Sequence, residues 1–216
     1  MTTPTEYPAY IYSALYTDET GEVIGLDEVQ LLDPIPVEHI PRLIALLGND
    51  DTYMAYQSGL VLAAWGVKEG IAYLQHFIDA RLDKRVTLEP HRLWGQDNVY
   101  DVIAEALGIA VLSGYNRVEV VRILRSILHL YGECYVESKL KGVLINLDEH
   151  CLLPDIKQAM QLALKNERYY QASQLLPVLA KYDRTYAFAQ VDTFRKLIEE
   201  DKRIQYNLEE MQTLLA

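Results

Sequence analysis

Apolar residues recur at helical spacing along most of the chain, and the stretches between them are rich in glycine, asparagine and aspartate. Ile40, Leu43, Ile44 and Leu47 stand at positions i, i+3, i+4 and i+7, the spacing typical of a helix with one buried face. The same spacing predicts further helices over 53–65, 71–82, 99–110, 118–128, 135–147, 156–164, 169–180 and 191–215. The pattern therefore predicts an all-α fold.

The apolar pattern also repeats at a fixed offset of 47 residues. Its first copy consists of Tyr53, Leu60, Ala63, Ile71, Leu74 and Phe77, and the second of Tyr100, Leu107, Ala110, Val118, Val121 and Leu124. Asp50 and Asp97 stand at the same offset, each shortly before a predicted helix. A pair of helices with this period cannot bury its apolar face alone, so we expect successive pairs to stack.

Residues 36–128 resemble the two-helix units of HEAT and armadillo repeats. The resemblance depends on an acidic turn, a helix with small residues and a following glycine: Asp50, Asp51, Leu60, Ala63, Ala64 and Gly66, repeated as Asp97, Leu107, Ala110 and Gly114. The basic residue that usually follows the inter-helix aspartate in that family is missing. The third pair of predicted helices, over 156–180, matches the repeat pattern less well. The resemblance implies a short right-handed α-α superhelix of HEAT-like hairpins. An irregular α-helical bundle is the alternative.

The first 36 residues differ from the rest in composition. We predict that residues 1–36 form an acidic, tyrosine-rich N-terminal arm or cap on a helical-repeat domain over 37–216, within a single domain overall. Residues 5–16 fit a short helix with Tyr7, Ile11 and Leu15 on one face, while their tyrosine content also permits a strand. The run 33–36, with two prolines, is a rigid break.

Charge is distributed unevenly along the chain. The net charge is −11, and residues 1–36 contain seven acidic residues and no lysine or arginine. A surface of this kind repels phosphate backbones, so we expect no nucleic acid and a basic protein as partner. The other interpretation is that acidity serves only solubility. No apolar run reaches the roughly 18 residues of a membrane span, and no signal peptide is recognised, so we expect no membrane and a cytoplasmic location.

Residues for catalysis or metal binding do not form a recognisable motif. The five histidines contain no HxxxH pair, and the run 148–151 places its polar groups on adjacent residues, which point in different directions. Nucleotide-binding and hydrolase motifs do not occur, and Cys134 and Cys151 form no CxxC pair. We therefore expect no metal, no cofactor and no enzymatic activity.

Tyrosine and one irregular segment supply the candidate contact residues. The chain has 16 tyrosines against 3 phenylalanines, and a tyrosine ring with a solvated hydroxyl suits a half-buried contact surface. The connection 83–98 has no helical period and carries His91, Arg92 and Trp94. The predicted partner-binding residues are Asp50, Asp51, Tyr53, Tyr56, His91, Arg92, Trp94, Asp97 and Tyr100. Alternatively, Trp94 packs beneath its own loop and the tyrosines fill gaps between helices.

These features favour a non-enzymatic protein-binding module. Small acidic proteins of this build without enzyme motifs resemble bacterial immunity proteins, which cover the active site of a toxin, often a basic nuclease. The resemblance implies that the acids mimic the phosphates that such a toxin binds. Two alternatives stay open: an enzyme or ligand-binding protein on a HEAT-like scaffold, similar to bilin lyases, and a structural subunit of a larger assembly. The oligomeric state stays open as well.

Overall fold

The chain folds into α-helices joined by turns, as its periodicity predicts. The computed structural model describes residues 7–90 and 95–215, and within these residues there is no strand. Helix accounts for 68% of the structure, which confirms the all-α class. The first helices are α1 (Ala9–Tyr16), α2 (Leu26–Val29), α3 (Ile40–Leu46), α4 (Thr52–Ala64), α5 (Lys68–Asp79), α6 (Val99–Leu112) and α7 (Arg117–Leu130). They are followed by α8 (Ser138–Leu147), α9 (Leu153–Lys165), α10 (Tyr169–Ser173), α11 (Leu175–Tyr182), α12 (Arg184–Leu197) and α13 (Ile204–Leu215).

The helices group into two compact units. Unit 1 consists of Met1–Leu88 and Glu105–Val120, and unit 2 of Glu89–Ala104 and Val121–Ala216. The division falls within α6 and α7, so each of these helices contributes residues to both units. The boundary predicted at residue 36 stays a prediction.

The core of unit 1 joins the N-terminal residues to the helices that follow. One buried cluster contains Tyr7, Ile11, Ala14, Leu15, Val29, Leu43, Leu46, Met54, Val61, Leu62 and Trp65. The Trp65 indole Nε1–H donates a 2.9 Å hydrogen bond to the carbonyl of Val29, so this buried ring also has its polar atom satisfied. Residues 9–16 form a helix, which decides between the helix and the strand that the tyrosine content left open.

Helices α4 and α5 pack at close range because two glycines face the partner helix. A Cβ atom on Gly59 would lie 2.6 Å from the ring of Tyr73, and one on Gly70 would lie 2.5 Å from the backbone nitrogen of Ala63. All residues of α4 from Met54 to Ala64 are buried. Small residues in α4 therefore permit the close approach of α5.

The 47-residue offset is reflected in the helix starts and in burial. Helix α4 begins at Thr52 and α6 at Val99, which are 47 residues apart. Both members of the pairs Leu60/Leu107, Ala63/Ala110, Leu74/Val121 and Phe77/Leu124 are buried. Two pairs are exceptions: Ile71 is buried while Val118 is 78% exposed, and Tyr100 is buried while Tyr53 is half-buried.

Two helices predicted as single elements in unit 2 are interrupted. The helix predicted over 169–180 is divided into α10 and α11, because Pro177 has no N–H to donate to the carbonyl four residues earlier. The helix predicted over 191–215 is also wrong, since α12 ends at Leu197 and α13 begins at Ile204. Between them, Asp201 accepts a 3.0 Å hydrogen bond from the Arg203 backbone N–H and pairs with its guanidinium at 2.6 Å.

Helix α8 begins three residues later than the predicted start at Tyr135. Its first turn is fixed by the carboxylate of Asp101, which accepts hydrogen bonds from the backbone N–H groups of Lys139 (3.1 Å) and Leu140 (2.8 Å). A residue distant in sequence thus supplies the N-terminal cap that the chain around Glu137 lacks. This capping could not be predicted from periodicity.

Candidate functional site

Two of the predicted contact tyrosines lie in the core. Tyr56 is 0% exposed and packs against Phe77 with ring centroids 5.6 Å apart, and Tyr100 is 1% exposed. A partner could reach these rings only if the core opened. They stand on helix faces that the rest of the chain covers, and the apolar half of a tyrosine makes such burial favourable.

The irregular loop before α6 has a structural anchor at Asp97. Its Oδ1 accepts hydrogen bonds from the backbone N–H groups of Glu89 (3.0 Å) and Val99 (3.2 Å), so one carboxylate joins both ends of the loop. The predicted residues His91, Arg92 and Trp94 lie outside the described residues. A partner-binding role for this loop stays a prediction.

The remaining predicted residues stand at the start of α4. Asp51 Oδ1 accepts hydrogen bonds from the backbone N–H groups of Tyr53 (3.0 Å) and Met54 (3.2 Å), so Asp51 is the N-cap of α4. Asp50 is exposed, and Tyr53 is half-buried. Tyr53 belongs to a group of side chains that also includes three tyrosines from the N-terminal residues.

We call this group the tyrosine cluster and define it as Tyr7, Tyr12, Tyr16, Tyr53 and Gln57. The rings of Tyr12 and Tyr16 are 5.0 Å apart, and those of Tyr7 and Tyr16 are 6.5 Å apart. The Tyr7 hydroxyl donates to Gln57 Oε1 at 3.1 Å, and Gln57 Nε2 donates to the Tyr16 hydroxyl. A single buried amide thus fixes two rings in place.

Burial favours the protonated form of the two tyrosine hydroxyls that Gln57 contacts. Burial, followed by the negative charge of Asp51 and the proximity of Tyr53, raises the pKa of Tyr7 to about 12. Burial also raises the pKa of Tyr16, and Tyr53 contributes in the same direction. At neutral pH Tyr7 and Tyr16 therefore offer neutral hydroxyls, and that of Tyr7 is influenced by the Asp51 carboxylate.

A groove of about 530 Å³ lies beside the cluster on the surface of unit 1. It is lined by Tyr7, Ala9, Tyr12, Ser13, Thr17, Gly21 and Val23. Val23 is 60% exposed, and Tyr12 is half-buried, so the groove has both an aromatic wall and an open apolar rim.

The rim of the groove continues into residues 18–22, which we call the acidic turn. Asp18 Oδ1 accepts hydrogen bonds from the Thr20 N–H (2.8 Å), the Thr20 hydroxyl (2.7 Å) and the Glu22 N–H (3.0 Å). These hydrogen bonds, that of the Thr20 hydroxyl foremost, hold the pKa of Asp18 below its usual value. Glu19 and Glu22 are exposed on this ordered turn.

Sequence reasoning missed Gln57, which organises the cluster. Its signal is the position of an amide within a run of buried residues, Met54–Ala64, that is otherwise mostly apolar. A buried amide needs hydrogen-bond partners, and here those partners are tyrosine hydroxyls from the N-terminal residues.

No group of three or more histidine, cysteine, aspartate or glutamate side chains is placed to hold a metal within residues 7–90 and 95–215. Cys134 is buried and Cys151 is exposed, and neither forms a disulfide. In the described part of the chain, no helix combines the length and the apolar character that crossing a bilayer requires.

The chain matches no family model, no curated protein and no solved structure.

Proposed function

We propose that this protein is a non-enzymatic interaction module that binds a basic protein segment at the tyrosine cluster and the acidic turn. The observation that carries the proposal is the groove beside the tyrosine cluster, which has an aromatic wall and whose lining residues Gly21 and Val23 flank the exposed Glu22. Residues 7–41 contain no lysine or arginine, so no such side chain of this segment offsets the charge of the acidic turn.

The chemistry of the groove suits lysine and arginine side chains. Their aliphatic stems can pack on a tyrosine ring while the cationic group meets a carboxylate, and a cation over an aromatic face contributes about 0.5–2 kcal/mol. Glu19 and Glu22 are exposed on the acidic turn and would receive such groups. The fixed Tyr7 and Tyr16 rings reduce the conformational entropy that binding would otherwise cost.

A basic protein fits this surface better than a nucleic acid does. The same acids that attract lysine and arginine repel a phosphate backbone, and the net charge of −11 adds to that repulsion. Opposite charges also speed the encounter of two proteins. Binding should therefore weaken as salt concentration rises.

A narrower form of the proposal is that the protein acts as an immunity protein. The acids of the turn would occupy the phosphate sites of a basic nuclease and block it. Co-expression with a cognate basic toxin should restore growth, and failure to do so would contradict the immunity form alone.

We also propose that the helical pairs stack as HEAT-like repeats, with the 47-residue offset as support.

Affinity capture from the native cell with the full chain as bait tests the general proposal. The wild type should retain a basic protein, and Tyr12→Ala should weaken its binding about tenfold because an aromatic anchor is lost. The double substitution Glu19→Lys and Glu22→Lys should abolish capture at moderate salt.

The matched control is Tyr206→Ala in unit 2, since Tyr206 is a 73% exposed aromatic far along the chain from the groove. It should leave capture unchanged. Retention of the same partner by both groove variants, or capture of acidic proteins only, would contradict the proposal.

A further inference from the structure

A second groove lies in unit 2, between α12 and α13, and we call it the terminal groove. Its volume is about 560 Å³. Its apolar lining consists of Phe188, Val191, Met211 and Leu215. The two helices have 14 and 12 residues, so the groove runs between elements of roughly three turns each.

Phe188 gives this groove its open apolar edge. It is 71% exposed, whereas Phe194 on the same helix is fully buried at 0% exposure. Leu214, on the other helix of the pair, is 43% exposed. A large aromatic ring left in water at a concave surface is characteristic of a binding site rather than of a core.

The charged residues that line the terminal groove are both basic, which is unusual in a chain of net charge −11. Arg184 donates a hydrogen bond from Nη2 to the carbonyl of Leu215, which positions its guanidinium at the end of α13. Arg195 Nη1 lies 3.4 Å from Asp192 Oδ1, with both side chains exposed. An ion pair exposed to this extent is weak, and Arg195 stays available to a stronger partner.

We infer that the terminal groove binds an acidic amphipathic helix of a partner protein. The apolar face of such a helix would cover Phe188, Val191 and Met211, and its acidic residues would meet Arg184 and Arg195. A third helix laid between two packed helices follows the usual geometry of ridges in grooves. This inference is independent of the proposed function, because it concerns other residues and the opposite charge.

A second copy of the chain is a poorer occupant than an acidic helix from another protein. Two copies of net charge −11 repel one another at long range. A partner helix with a few acidic residues matches the two arginines without bringing so large a charge. Self-association is therefore the main competing outcome of the test.

The test uses the full chain with Glu19→Lys and Glu22→Lys, so that the acidic turn does not bind a basic peptide, and two labelled peptides of about 14 residues, a length that spans α12. Both peptides carry leucines at helical spacing, and one has glutamates at the remaining positions while the other has lysines. Fluorescence anisotropy should show binding of the glutamate peptide at least about tenfold tighter than that of the lysine peptide. Phe188→Ala should weaken the glutamate peptide about tenfold or more, as expected for an aromatic anchor.

Two further variants locate the effect. Arg195→Glu should weaken the glutamate peptide and strengthen the lysine peptide, each by about threefold, as for an exposed charge pair. Tyr206→Ala removes a similarly exposed aromatic that does not line the groove, and it should leave both affinities unchanged.

Three results would overturn the inference. These are equal affinity for the two peptides, no measurable binding of the glutamate peptide, and an affinity that Phe188→Ala does not change. Size-exclusion chromatography of the wild type and of Phe188→Ala tests whether a second copy of the chain occupies the groove. A wild-type dimer that the substitution dissociates would assign the groove to a second copy and would contradict the inference.

Discussion

Helices α4 and α12 are nearly equal in length but differ in how much of their surface is covered. Of the 13 residues of α4, the 11 from Met54 to Ala64 are buried, whereas α12 buries Ala187, Val191 and Phe194 of its 14. A helix that is apolar on all sides becomes core, and its tyrosine is then a packing residue. A helix covered on one side keeps the other side for a partner.

This difference shows where binding residues should be sought in the chain. Tyr56 belongs to the covered helix and fills the core, while Phe188 belongs to the uncovered one and faces water. The tyrosine cluster lies between these extremes, because Gln57 anchors the rings of Tyr7 and Tyr16 while Tyr7 and Tyr12 border an open groove.

The largest expected effect on stability is the loss of the Phe194 ring from α12, and Phe188 of the same helix provides the comparison. Phe194→Ala should lower the free energy of unfolding by about 3–5 kcal/mol, because a fully buried ring is lost and a cavity remains. Phe188→Ala, at 71% exposure, should change it by less than about 0.5 kcal/mol. Urea denaturation of both variants measures the contrast, and similar losses for the two would mean that α12 is not covered on one side only.

The contact between α4 and α5 should be sensitive to a single methyl group. Gly70→Ala places a Cβ 2.5 Å from the Ala63 backbone, and we expect a loss of about 2–3 kcal/mol through overpacking. The control is Gly142→Ala in α8, where a Cβ meets no atom within 4 Å. That substitution should stabilise the protein by about 0.5–1 kcal/mol, since alanine is the better helix former. Thermal unfolding distinguishes the signs, and a tolerated Gly70→Ala would refute the close packing.

The buried carboxyl of Asp101 should make unit 2 less stable as pH rises. Burial raises its pKa from 3.8 to about 6, so between these values the folded state holds a proton that the unfolded state has lost. This group's contribution to stability is therefore complete below pH 3.8 and falls by about 2–3 kcal/mol by pH 7.

Asp101→Asn cannot ionise, so it serves as the reference for that pH dependence. Unfolding free energies at pH 4 and pH 7 should show the wild type losing stability relative to Asp101→Asn, whatever the other carboxyls contribute to both proteins. Parallel pH profiles for the two would show that Asp101 is not desolvated as described.

The smallest expected effect concerns the hydroxyls of the tyrosine cluster. Tyr7→Phe removes the hydrogen bond to Gln57 Oε1 and should cost about 1 kcal/mol, because the buried amide loses a partner. Tyr12→Phe keeps the half-buried ring that lines the groove and should change stability by less than about 0.5 kcal/mol. Chemical denaturation resolves the difference, and equal losses would argue against the role of Gln57.

Much of the fold could be predicted from apolar spacing, because helix positions follow from local periodicity. The starts of α4 and α6 and the small residues facing α5 are examples. The interruption at Pro177 could have been predicted too, since proline inside a helical pattern is a known breaker. The start of α8 could not, because its cap is Asp101, a residue 38 positions from Lys139.

The candidate sites were harder to predict, because exposure is not a local property. A tyrosine at a helical position is compatible with core or surface, so Tyr56 and Tyr53 look equivalent in sequence although the first is buried and the second half-buried. Treating 191–215 as one helix concealed the terminal groove, which exists only because the chain turns between α12 and α13. The loop residues His91, Arg92 and Trp94 lie outside the described residues.

The central claim is that unit 1 binds basic protein segments at the tyrosine cluster and the acidic turn. Its most direct test is a titration of the isotopically labelled full chain with a short arginine–serine peptide, followed by backbone amide NMR shifts. The account predicts amide shift changes concentrated in residues 9–23 and 51–57. These changes should become smaller as salt is added, and they should not occur with a glutamate–serine peptide. Changes centred on α12 and α13, or none at low salt, would contradict it.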